Sequence, residues 1–319
     1  MDDSRYHRHR RAAILRKHPQ VRRLYGPAPY VAALAVAVVA GQIVLAAALS
    51  RQPLWLNVIA AFAIGAFATH FLNVVIHESA HNLVFRSPAL NRVCAIIANI
   101  PGVLPSAMAF RHFHLLHHRF LGQPGLDADV AMQWEARAVG HGPLRKALWL
   151  LAQPLVYSIV HPAQVRARLP IDGWLIANVL LVATVDVFIA HEWGWPALAY
   201  LGLSAYLGIG PHPAGAHTIQ EHLGISSRVE TASYYGPINA LSLNHGLHLE
   251  HHDFPNIPGA LLGRLRRLAP EYYEGQFVFR SRLLSMWQFV FDRKLGLDSR
   301  VIHVASVPRQ HQPAPASSV

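Results

Sequence analysis

The chain has 319 residues, 52% hydrophobic and only 14% charged, a balance too apolar and too charge-poor for an ordinary soluble domain. Its formal charge of +11, with 22 histidines besides, admits either nucleic acid or an anionic lipid surface as a partner. The single cysteine, Cys94, excludes an intramolecular disulfide, a CxxC motif, a cysteine-ligated iron–sulfur cluster and a zinc ribbon.

Residues 1–30 are polar and arginine-rich and read as a cytoplasmic leader. Met1-Asp2-Asp3 lacks the glycine of a myristoylation site, and no early apolar run marks a signal peptide. Residues 31–50 are almost wholly apolar, with Gln42 and Ser50 the exceptions. A second apolar run, 54–76, follows the turn Arg51-Gln52-Pro53. A third, 173–190, carries the lone charge Asp186. The fourth, 195–210, opens on Trp195-Pro196 after the turn at His191-Glu192-Trp193-Gly194. About 20 apolar residues cross a bilayer as a helix. The pattern predicts an all-α integral membrane protein, its four transmembrane helices in two tight hairpins under a cytoplasmic helical cap. The runs 95–103 and 147–159 are too short to span and are expected to lie on the membrane or against the core. The membrane domain is expected over 31–305, and the Pro/Ser/Ala-rich residues 306–319 form an expected disordered tail.

Lysine and arginine number eight before the first span, nine between the second and third, and ten after the fourth, while the two outer turns hold only Arg51. By the positive-inside rule both termini and the middle segment face the cytoplasm. The basicity is then membrane-face charge, and nucleic acid is set aside as a partner, since no RNA- or DNA-binding pattern accompanies it. The membrane is either a bacterial inner membrane or the endoplasmic reticulum.

Three histidine clusters stand on that same side. His77-Glu78-Ser79-Ala80-His81 ends the second span, with His70 and Asn73 on the same stripe deeper in. His114-Leu115-Leu116-His117-His118 lies in the middle segment, and His248-Leu249-Glu250-His251-His252 follows the fourth span. On a helix the i, i+3, i+4 spacing is expected to gather three imidazoles on one face. Imidazole is a good ligand for zinc, copper, iron and nickel. Eight such ligands are too many for one tetrahedral zinc and suit two metals of higher coordination. Desolvating so many adjacent imidazoles with no metal to receive their lone pairs would be costly. Isolated histidines such as His18, His141, His161, His191, His303 and His311 read instead as packed, hydrogen-bonded residues.

His-Glu-x-x-His is also the zinc protease motif, so an intramembrane protease is the alternative from a different class, although one zinc has no use for the other two clusters. A metal transporter would place several ligands inside the spans, where only His70 lies deep.

The three clusters resemble the HxxxH, HxxHH and HxxHH boxes of membrane fatty-acyl desaturases and hydroxylases. The run from His251-His252-Asp253-Phe254-Pro255 to Gly259 resembles the sphingolipid 4-desaturase branch, as do Ala269-Pro270-Glu271-Tyr272-Tyr273, the leader stretch from Arg10 to Pro19, Tyr25-Gly26-Pro27, and the sequence from His114 through Asp129. His245, Leu247 and Leu249 depart from that branch's usual residues. The resemblance implies two irons, O2 as co-substrate, and ligands His77, His81, His114, His117, His118, His248, His251 and His252. It implies a ninth ligand, His222, with His217 as the rival, and assigns Glu78, Glu221 and Glu250 to orienting imidazoles. It implies desaturation of a lipid held in the membrane, foremost a dihydroceramide or sphingoid base at its 4-position, with a lipid hydroxylase or fatty acyl desaturase as alternatives. Taking two hydrogens from an unactivated alkyl chain is beyond any side-chain acid, base or nucleophile, so a cofactor carries it. No haem, flavin or nicotinamide motif is present, and the electrons are expected from a cytochrome b5 or ferredoxin type of donor.

Overall fold

The computed structural model describes residues 3–222 and 231–299; the expected tail at 306–319, His303 and His311 lie outside the described residues. Helix α1, Asp3–Lys17, is the leader, and α2, Tyr30–Leu49, is the first apolar run. Pro53 opens α3, Leu54–Ala80, 27 residues long with a π-helical turn at Ala61–Gly65. Buried Asn57 closes the connection by donating from Nδ2 to the Leu49 carbonyl at 3.2 Å, which occupies a free carbonyl at the end of α2.

Ser87 and Pro88 start α4, Pro88–Asn99, which a 3-10 turn extends to Gly102. Helix α5, Ala107–Phe120, then sets off at 116° to it. Asn99 holds the corner: its Oδ1 accepts the N–H groups of Ser106 and Ala107, at 2.8 and 3.1 Å, and the side chain of Asn178 at 3.0 Å. The run 95–103, expected as a helix on the membrane or against the core, packs on the core, with Ala95, Ile96 and Ala98 buried. Those residues belong to a broken pair whose two arms together have the length and apolarity of a span. Helices α6, Gln133–Val139, and α7, Pro143–Leu155, lead through a π turn to the third apolar helix α8, Gly173–Trp193.

Helix α9, Trp195–Ile209, has 15 residues and covers about 22 Å, short of a hydrocarbon core of about 30 Å. Among the described residues three helices, α2, α3 and α8, are long and apolar enough to cross a membrane, or up to four spans if the bent pair α4–α5 counts as one, and α9 is a shorter apolar helix. It packs closely on α3. A Cβ on Gly65 would stand 2.0 Å from Ser204 Oγ, so only glycine fits the π turn. Tyr200 donates to Gln42 Oε1 at 2.5 Å, and Gln42 Nε2 donates to Gly65 O and Thr69 Oγ1, a buried polar tie across three helices.

Beyond α9 come α10, His248–Asp253; α11, Gly259–Leu268; and α12, Arg282–Phe291. The described strands are Ser233–Tyr234 and Val278–Phe279, a two-residue parallel pair. The leader packs on this last third: Ile14, Val21 and Leu24 are buried with Leu247, Leu249, Phe254 and Ile257.

Candidate metal centre

The box histidines lie on, or directly after, three helices. The last turn of α3 delivers His77 and His81, α5 delivers His114, His117 and His118, and α10 delivers His248, His251 and His252. His222 follows the short helical turn His217–Gln220. These nine fall into two groups: His77, His81, His114, His118 and His251 in one, and His117, His222, His248 and His252 in the other, with candidate ligand atoms within 4.8 Å of one another in each.

Helical rotation explains the division. Neighbouring residues are turned about 100° apart, while i and i+4 nearly eclipse. His114 and His118 therefore serve the first group, and His117 swings to the second. In α10 the roles reverse: His248 and His252 serve the second group and His251 the first. The expected single face of three imidazoles is thus replaced by a two-to-one split in each HxxHH box.

The nitrogens face one another. His81 and His114 Nε2 are 2.9 Å apart, and the pairs His114–His118, His118–His251 and His222–His248 are each at 3.1 Å, with His248–His252 at 3.0 Å. Ligands at right angles around a metal with bonds of about 2.1 Å stand about 3.0 Å apart. The buried Nε2 of His77 makes no hydrogen bond. Burial, reinforced by neighbouring imidazoles, pushes His248, His251 and His252 well below the ordinary imidazole range, leaving neutral rings with lone pairs to give. The donor set fits two metal ions.

The residues behind the rings differ from those expected. Asp127, fully buried, accepts from His117 Nδ1 at 3.0 Å and from the N–H groups of Gly122 and Asp129. That fixes the tautomer and aims Nε2 inward. Nothing in the spacing of the boxes singled out Asp127; its signal was the acidic pair five and seven residues beyond Gly122. Glu78 accepts the Gly259 N–H at 3.0 Å and lies 3.7 Å from His77 Nδ1, so it ties α3 to α11 more than it orients a ring. Glu250 accepts from Ser233 Oγ and Tyr235 Oη, both at 2.6 Å, and holds α10 to the strand pair. Glu221 Oε1 is 3.2 Å from His245 Nε2 and 3.9 Å from His248 Nδ1. His217 groups with Glu221 and His245 and stands outside both sets of the nine.

Of the isolated histidines, His161 is buried between Ala128 O and Glu135, and His18 meets Glu271. His141 is half-exposed beside Asp298, and His191 is solvent-exposed, not packed.

A cavity of about 250 Å³ reaches the centre; His77, His114, His117, His222 and His248 form one side, and Val74, Ile76, Phe110 and Phe113 supply apolar wall.

The family model described as "Fatty acid desaturase" matches residues 53–283, and that described as "Sphingolipid Delta4-desaturase (DES)" matches residues 1–30. A sphingolipid delta(4)-desaturase of Oryza sativa subsp. japonica is 38% identical over 296 residues, covering 92% of this chain and 89% of that protein. A sphingolipid delta(4)-desaturase/C4-monooxygenase of Bos taurus is 39% identical over 94% of this chain and 93% of its own. A further sphingolipid delta(4)-desaturase, from Drosophila melanogaster, is 36% identical, covering 92% of each. The protease and transporter readings give way to this, and the chain, an oxidoreductase, belongs to the fatty acid desaturase family, in its sphingolipid delta(4)-desaturase branch.

Proposed function

We propose that this protein introduces the 4-double bond into a dihydroceramide or sphingoid base, using O2 and electrons from a separate carrier. The observation behind this reading is the pair of imidazole groups, five and four strong, converging beside one partly apolar cavity. His77, His81, His114, His118 and His251 would hold one iron, and His117, His222, His248 and His252 the other. Bound there, the two irons supply the O2-derived oxidising power that an unactivated alkyl chain requires. The protein's own part is positional. Asp127 holds His117 as a donor, Glu250 and Glu78 fix the segments that carry the third box, and Phe110 and Phe113 offer an apolar wall to the alkyl chain.

The same reading covers the finer topology. The hairpins α2–α3 and α8–α9 enter the membrane from the cytoplasmic side, both termini and the centre lie on that side, and residues 31–305 act as one membrane unit behind the leader 1–30. The arginine-rich face, net +11 over the chain, suits an acidic donor of the cytochrome b5 or ferredoxin type.

Lipid analysis of a host expressing the chain, with and without added dihydroceramide, tests the substrate. A sphingoid product lighter by two hydrogens is expected; a new fatty-acyl double bond with an unchanged sphingoid pool would overturn it. Iron in the purified protein should come to about two per chain, and His114→Ala should lower it along with activity. A second reading, hydroxylation at the same carbon, draws on relatives such as the Bos taurus protein whose names carry both activities. A product heavier by one oxygen would identify it.

A further inference from the structure

Beside the four-histidine group lies a second set of buried polar side chains that none of the proposed ligand roles uses. Glu221, His217 and His245 have ligand atoms within 4.8 Å of one another and line the same cavity as the metal-facing rings. His70 joins them, its ring 4.7 Å from that of His217 and 5.9 Å from that of His245. Behind His70 stands Arg282, only 1% exposed, donating to Ala214 O at 2.6 Å with Nη1 3.3 Å from His70 Nε2. Several polar atoms here make no hydrogen bond: His70 Nδ1, Arg282 Nε and Nη2, and Glu221 Oε1, whose contact with His245 Nε2 at 3.2 Å is an ion-pair approach only. Buried polar groups left unmatched are costly, and a cluster of them on a cavity wall calls for a polar guest.

The chemistry of the proposed substrate supplies one. A sphingoid base carries a hydroxyl on C3 and a nitrogen on C2. With C–C bonds of about 1.5 Å, the C3 oxygen is about 2.4 Å from C4. A centre that acts on C4 must therefore have polar groups almost touching its metal ligands, whereas one acting in mid-chain needs none there. Glu221 meets that requirement, 3.9 Å from His248 Nδ1. The opposite candidate, Asp129, lies 3.4 Å from His117 Nδ1, but its side chain is 37% exposed, against 12% for Glu221.

We infer that Glu221, flanked by His217 and His245, forms the subsite for the C3 hydroxyl of an N-acyl sphinganine and so fixes which carbon reaches the metals. This rests on the proposed sphingolipid substrate. The hydroxyl donates to the Glu221 carboxylate, and the neutral rings of His217 and His245 can take the neighbouring amide.

The test is binding to the full chain in nanodiscs, with zinc in place of iron so that no turnover occurs. The probes are an N-acyl sphinganine and its 3-deoxy analogue. Wild type is expected to prefer the hydroxylated lipid by about 10–100-fold, the cost of leaving a buried polar group unmatched when the 3-deoxy lipid binds. Glu221→Gln and, independently, His217→Asn should bring that ratio close to one while the 3-deoxy affinity and the zinc content hold; Asp129→Asn should leave the ratio intact. Equal binding of the two probes by wild type, or a ratio that collapses in Asp129→Asn and survives in Glu221→Gln, overturns the assignment. Product analysis of the iron-loaded enzyme is read separately. A sphingoid double bond with no probe preference sinks the subsite alone, and absence of that product sinks the proposed function.

Discussion

His117 and His118 are neighbours in sequence yet belong to different imidazole groups, each a candidate metal position, and the same is true of His251 and His252. Each HxxHH box thus stitches the two positions together, and loss of one ring should disturb both. The residue that aims His117 is Asp127. Asp127→Asn keeps the shape but weakens the acceptor that fixes the ring, so metal affinity should fall by about 10–100-fold, read by competition with a chelator. Unchanged affinity would mean that His117 is oriented by packing alone. The rings themselves were legible from spacing and residue type. Their partners were not, because Asp127 reaches His117 through a turn, and Glu250 meets Ser233 Oγ across 17 positions of chain, separations that no helical period encodes.

At the scale of elements, the leader helix α1 is a strap over the third box. Asp253, adjacent to His252 and fully buried, accepts from His7 Nδ1 at 2.8 Å and from Arg10 Nε at 3.0 and 3.1 Å; Arg10 also donates to Tyr272 O at 2.8 Å. Arg10→Ala removes the guanidinium partner of a buried carboxylate. A cost at the lower end of about 3–5 kcal/mol is expected, seen as a lower unfolding temperature in detergent and faster proteolysis of the leader. The arginine-rich composition of the leader pointed to lipid headgroups, yet two of its basic residues turn inward, a choice made by Asp253 far along the chain. A second element-level prediction concerns α6 and α7. Burial alone would raise the Glu135 carboxyl, but hydrogen bonds from His161 at 2.8 Å, Trp149 at 2.7 Å and the Met132 N–H hold it below the ordinary carboxylate range. A depressed folded-state value stabilises the fold at pH above the unfolded value of about 4.3, and that contribution is lost as pH falls through the folded one. Glu135→Gln should therefore flatten the acid limb of a plot of unfolding temperature against pH; an unaltered limb would locate the acid sensitivity elsewhere.

For the whole molecule, hydropathy and charge gave the all-helical membrane plan and its two paired hydrophobic segments. They placed the fourth apolar run to within one residue of α9, Trp195–Ile209, but left open how a helix of 15 residues meets the bilayer. They also missed the 116° corner between α4 and α5, set by Pro101, Gly102 and Pro105 together with the Asn99 bonds. If the basic surface is the donor's landing face, electron delivery should slow steeply between low and physiological salt, because exposed charges are screened over about 8–10 Å. Stopped-flow reduction across an ionic-strength series measures this, and a flat profile would argue for an apolar dock. Single cysteines placed at Arg51 and in the leader of a Cys94→Ser background should label from opposite sides of the membrane.

The strap also sets a timetable for biosynthesis. His7 and Asp253 are 246 residues apart. At about 5–20 residues per second, the leader leaves the ribosome about 10–50 s before its partner exists. During that interval the first two boxes are made, while the four-ring group still lacks His222, His248 and His252. The full four-ring set then exists only once the last third of the chain is made, and the contact of His7 with Asp253 can form only at that same stage.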